Sequence, residues 1–128
     1  MSADSKLTEI VIGAAYTVHN ELGEGFLEAV YVKALSVELT SLNVAHNLEM
    51  PLSVHYKGQR VGEYRADIVV ENCLVLEIKA VTALNPIHEQ QLVHYLHATR
   101  MGLGLLINFG RSVIVRRKVL STNLRQSA

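Results

Sequence analysis

The sequence has one cysteine, two prolines, no tryptophan and no acidic residue after Glu89. A lone Cys73 excludes an intrachain disulfide and fits a reducing compartment. With so little proline, no Gly- or Ser-rich tract and no internal repeat, nothing divides the 128 residues, a length that suits one domain. No apolar run reaches the ~18 residues of a membrane span. The polar residues 1–6, followed by Glu9, do not read as a secretory leader. Charged residues are 19% and hydrophobic residues 49% of the chain, which excludes a disordered polyelectrolyte. The expectation is a single cytoplasmic globule with no membrane partner.

Charge is balanced in total but not along the chain. Residues 1–89 carry six bases against all twelve acids, a net of −6, and residues 90–128 carry six bases and no acid, a net of +6. The basic end, which includes Arg116, Arg117 and Arg125, is either a footprint for a polyanion or the partner that neutralises the acidic half across the fold.

Hydrophobic spacing predicts the elements. Leu7, Ile10, Val11, Ala14, Val18 and Leu22 recur at three- and four-residue steps, a helix over 7–22 capped by Asp4 or Ser5 and closed at Gly23. A second helix over 26–42 turns Leu27, Val30, Tyr31, Ala34, Leu35 and Leu39 inward. The period then falls to two, with strands at 48–56, 61–70 and 73–81, the first ending at the turn Lys57-Gly58-Gln59. Asn85-Pro86 starts a third helix running to about residue 100. Residues 103–109 form an apolar strand covered on both faces, and 113–118 an edge strand; Gly102 and Gly104 are expected only to flank the former. The order α-α-β-β-β-α-β-β predicts an α/β fold: helices around a mixed sheet with a three-stranded meander at its centre.

Three ionisable residues interrupt these strands. Asp67 lies in Tyr64-Arg-Ala-Asp-Ile-Val-Val70, and Glu77 and Lys79 in Leu74-Val-Leu-Glu-Ile-Lys-Ala80. Aspartate is depleted from strand interiors, and a buried carboxylate is costly unless paired or metal-bound. If Ile68 and Val70 oppose Leu76 and Leu74, the loop is Glu71-Asn72-Cys73, and Asp67 falls opposite Glu77 at about 5 Å. A divalent cation offsets the repulsion, since Mg²⁺ takes one or two carboxylates and keeps its waters. Lys79, one pleat along, is placed to hold a water or meet charge on a phosphate. The structural alternative is an ion-pair network of the same three groups, which desolvation opposes.

The pattern Asp67-(nine residues)-Glu77-Ile-Lys79 resembles the PD-(D/E)XK nuclease superfamily, with Ala66 where the motif's proline stands. Gly25-Phe-Leu-Glu28-Ala-Val-Tyr31 resembles the signature of the small GxxExxY proteins within it, and Gln91-Leu-Val-His-Tyr95 the Q-x-x-x-Y element of RecB-type nucleases. The resemblance runs over most of 7–117. It implies a restriction-endonuclease-like αβββαβ core, here with an extra N-terminal helix and a C-terminal edge strand. It implies Asp67, Glu77 and the Ile78 carbonyl as metal ligands, and Lys79 as the water-orienting or charge-stabilising group. Glu28 would be the acidic residue aimed at the metals from the first core helix; on its own chemistry it is equally an exposed helix glutamate. Gln91 and Tyr95, at i,i+4, would support the site or the nucleic acid backbone. The alternative is a buried tyrosine with Gln91 bonding its neighbours, and Gln90 stands beside it as a second candidate.

The remaining candidates are thinner. Six histidines include no HExxH spacing and the lone cysteine no CxxC, so zinc is not expected. His19, near a helix end, is a candidate further metal ligand, although helix C-termini favour histidine electrostatically. His88 is a candidate for the mouth of the site. Cys73, beside a turn and without a partner, reads as an inert thiol. The tyrosines make no stacking series along the chain, so no single-strand platform is expected. The combined expectation is a Mg²⁺- or Mn²⁺-dependent phosphodiesterase acting on nucleic acid, DNA rather than RNA, held by Tyr95, His88, Arg116 and Arg117. The alternative is a catalytically silent nuclease-like module that binds nucleic acid or protein. Small size and an apolar first helix add a homodimer to the expectations.

Overall fold

A computed structural model describes residues 3–120, and the eight elements form in the expected order. The first helix, α1 (Ala3–Leu22), begins earlier than its apolar spacing indicates, so Asp4 lies in the first turn, where the helix dipole favours an acid, instead of capping it. Thr8, Val11, Ala14, Ala15 and Val18 are buried, whereas Ile10 falls off this stripe and is 43% exposed. The apolar face expected to serve a dimer is therefore spent on the core.

α1 ends where the Gly23 N–H donates to His19 O at 2.8 Å, and Gly23 has φ +73°. α2 (Glu28–Ser41) follows, burying Tyr31, Leu35 and Leu39. Leu27 is its N-cap, ahead of the inward stripe, and is exposed, as in part is Val30; both depart from the expected inward set. Tyr31 pins the connection: its hydroxyl donates to Gly23 O at 2.6 Å, and its ring stacks on Phe109 with centroids 4.6 Å apart.

β1 (His46–Tyr56) and β2 (Gln59–Val70) make a long hairpin closed by Lys57 and Gly58, both at positive φ, the geometry that matches strand twist. β3 (Leu74–Lys79) pairs antiparallel with β2, and α3 (Pro86–Thr99) crosses over to β4 (Leu103–Phe109), parallel to β3. β5 (Val113–Val119) completes a sheet of order β1-β2-β3-β4-β5. The meander thus occupies one side of the sheet, with β3 at the centre, because the helical crossover sets β4 against β3.

One core lies under α1 and α2, with Ile68, Val70, Leu76 and Ile78, and a second under α3, with Tyr64, Ala66, Val69, Val75 and Leu106. Gly104 has a packing role beyond flanking a strand: a Cβ there would meet Leu96 at 3.1 Å and Leu92 at 3.2 Å, so its absence lets α3 lie close. Among the described residues no helix is long and apolar enough to cross a membrane.

Candidate active site

β2 and β3 separate at Asp67. Their ladder runs through Val70–Leu74, Val69–Val75 and Ile68–Leu76, the expected register, and there stops. In place of a further backbone bond, Asp67 Oδ2 accepts the Ile78 N–H at 2.8 Å, which draws the carboxylate in between the strands.

The faces of the sheet also exchange here. Tyr64 and Ala66 pack toward α3, but Ile68 and Val70 pack toward α1 and α2. β1 does the same, Leu48 opposing Ile68 and Met50 opposing Ala66, with Glu49 and Asp67 both missing from the ladder. Glu49 takes φ +49°, a left-handed conformation uncommon outside glycine. The simple alternation expected to set Asp67 opposite Glu77 therefore does not hold, and that pair is missing from the ladder. The even-numbered apolar residues continue unbroken across the switch because both sides of the sheet are covered.

Glu77 and Lys79 emerge on the face of Val75, toward α3. Glu77 is half-buried, and its Oε1 accepts a short hydrogen bond from the Tyr64 hydroxyl. Tyr64 in turn lies flat on Tyr95 of α3, ring centroids 3.8 Å and planes 4° apart. Burial, then the charge of Asp67, pushes Glu77 up to about 7 against the opposing pull of Tyr64 and Lys79. Burial also raises Asp67; the Ile78 N–H and Lys79 oppose this, while Glu28 and Glu49 add to it. Burial and the Glu77 charge hold the Tyr64 phenol in its protonated, donating form.

The segment after Lys79 is clamped by Asn108, its ladder partner's side chain. Asn108 is 2% exposed; its Oδ1 accepts the Val81 N–H and its Nδ2 donates to Val81 O, each at 2.9 Å. A Cβ on Gly110 would stand 2.8 Å from Val81 O, so this close approach requires glycine. The Gly110 carbonyl accepts His19 Nε2–H at 2.8 Å, so that nitrogen is engaged within the fold.

On the α2 side, Glu28, the first residue of that helix, is exposed and lines a cleft of about 380 Å³ with Val32, Lys33, Leu48, Glu49 and Asp67. Gln91 is exposed one turn before Tyr95, whereas Gln90 borders a different cavity with Glu89, His94 and Lys118. His88 belongs to the start of α3: its Nδ1 accepts the Asn85 N–H at 3.4 Å while Asn85 Oδ1 accepts the Ile87 N–H at 3.0 Å. Arg116 and Arg117 diverge by strand alternation. Arg116 lies 4.0 Å from Glu89, which also holds Lys118 at 2.7 Å, and Arg117 borders a cavity with Asp4, Cys73 and Arg100. Part of the basic end is thus neutralised by the last acid of the chain; Arg125 lies outside the described residues. Burial and nearby Asp4 and Glu71 push the Cys73 thiol up, away from a reactive thiolate.

Sequence reasoning missed Tyr64, Glu49 and Asn108, and the Tyr64–Tyr95 stack joins residues too distant in the chain to form a visible series. A tyrosine at a core position needs a partner for its hydroxyl, and that was the available signal for Tyr64. Among the described residues no three His, Cys, Asp or Glu side chains form a ready cation cage. The two strand carboxylates, Asp67 and Glu77, are hard oxygens held toward their protonated forms by burial. A hard divalent cation keeping several waters suits that donor set.

A family model described as the PD-(D/E)XK nuclease superfamily matches residues 5–119. The crystal structure of SSO0001 is similar at TM-score 0.53 and 20% identity, over 94% of this chain and 62% of that one. The chain therefore spans less than two thirds of that structure, and the likeness is one of fold. No curated protein matches.

Proposed function

From the premise that this chain belongs to the PD-(D/E)XK nuclease superfamily, we propose that it hydrolyses phosphodiester bonds in nucleic acid, DNA before RNA, with the help of Mg²⁺ or Mn²⁺. The observation that carries the reading is a pair of half-buried strand carboxylates close enough for the Asp67 charge to raise the proton affinity of Glu77, with Lys79 two residues on from Glu77. Asp67, Glu77 and the Ile78 carbonyl would hold the cation, with Glu28 as a further donor; His19, whose Nε2 is hydrogen-bonded to the Gly110 carbonyl, takes no part in this reading. When bound, the cation supplies Lewis acidity and an activated water. Lys79 orients the attacking water or meets the charge growing on the phosphate. Glu77 must give up its proton to act as a ligand, so cation binding and activity are expected to weaken as pH falls. Tyr95 and Gln91 would steady the backbone beside the site. His88 and Arg116 already have partners within the fold and take no part in this reading. A homodimer, which would have to use a surface other than the buried stripe of α1, belongs to the same proposal, and light scattering tests it.

Plasmid, linear duplex, single-stranded DNA and RNA should be offered to wild type and Lys79→Ala with Mg²⁺ or Mn²⁺. Wild type is expected to cut at least one substrate and Lys79→Ala to lose about 10²–10³-fold in rate. Equal cutting by both would identify a contaminant, and binding without cutting by wild type would leave a silent module.

A further inference from the structure

Tyr64 has no part in the chemistry described above, yet it is the side chain that holds Glu77. It is 7% exposed, donates its hydroxyl proton to Glu77 Oε1, and rests its ring on Tyr95. The terminal torsion of a glutamate is broad and roughly two-fold, so an unheld carboxylate spreads over many orientations. A donor fixed on Oε1 selects one orientation and leaves the lone pairs of the other oxygen directed elsewhere. The donor is itself held, because a phenol stacked on a second ring cannot swing away without losing that contact.

We propose that Tyr64 is a positioning residue for the cation ligand Glu77, and that the Tyr64–Tyr95 stack couples α3 to the cation site. The inference rests on the reading of Asp67 and Glu77 as that site. Groups that orient a metal's ligands typically matter to affinity by about 10–100-fold.

The test is Mn²⁺ titration of the metal-free protein, followed by calorimetry and by the ultraviolet difference spectrum of tyrosine, with the melting temperature of each metal-free variant recorded. Tyr64→Phe keeps the ring and removes the donor. It is expected to bind Mn²⁺ about tenfold or more weakly and to lose the tyrosine difference band expected of wild type. Tyr95→Ala removes the stack and should weaken binding in the same direction. Tyr16→Phe, on the exposed side of α1, should keep both affinity and band. If Tyr64→Phe fails to fold, Tyr95→Ala still decides: wild-type affinity in that variant overturns the coupling. Wild-type affinity in Tyr64→Phe, or a band that survives in it, overturns the positioning role while leaving the cation site intact. No Mn²⁺ binding by wild type removes the functional reading, and this inference falls with it.

Discussion

At Glu77 the competing effects have a calculable sign. Its folded-state value of about 7 lies above the ordinary 4.5, so the native state holds this proton more tightly than the unfolded chain does. The contribution is complete below the unfolded value and is lost as pH rises through about 7. Glu77→Gln removes the ionisation, so the metal-free variant is expected to exceed wild type in stability at pH 8 by on the order of 1–3 kcal/mol, and to match it only below the unfolded value, near pH 4. Urea unfolding at the two pH values measures this, and a less stable variant at pH 8 would refute it. Asp67, Glu77 and Lys79 were legible in the sequence because charges inside apolar strands are anomalous on any register. Tyr64 and Glu49 were not. A tyrosine in a strand is ordinary, and a glutamate on an edge strand gives no sign that its backbone is left-handed.

Elements were legible to the extent that local chemistry sets them. Asn85-Pro86 marks the start of α3 because a cap accepts an orphan N–H and proline has none to lose. Asn85→Ala should therefore cost about 1 kcal/mol, read as a shift in urea midpoint with unchanged slope. Where tertiary contact decides, spacing misleads: α1 extends past its first apolar residue, and Leu27 caps α2 without joining its buried stripe. The connection after β3 is set by Asn108 and Gly110 from the next strand. Gly110→Ala forces its Cβ against Val81 O, so a loss of about 1–3 kcal/mol is expected, together with slower cleavage as the segment after Lys79 shifts. Gly62→Ala, with open space around it, is the control and should leave cleavage unchanged; equal behaviour of the two would remove the close-packing argument.

Across the whole molecule, the candidate site lies where β2 and β3 part between the two helical layers, so cation and proton compete for one pair of carboxylates. Mn²⁺ should raise the melting temperature by several degrees at pH 8 and by much less at pH 6, since ligands bind deprotonated. Asp67→Asn should abolish the shift, and a shift of the same size at both pH values, or in that variant, would place the cation elsewhere. The sequence by itself determined the order of elements, the β2–β3 register and the three ionisable residues, because periodicity, caps and misplaced charges are local signals. Only the tertiary structure decided that the sheet exchanges faces at Glu49 and Asp67, that Tyr64 bonds Glu77 and stacks on Tyr95, and that Arg116 and Arg117 part. The reason is physical: those outcomes depend on which surfaces helices cover, and a side chain apolar enough for one layer is equally suited to the other.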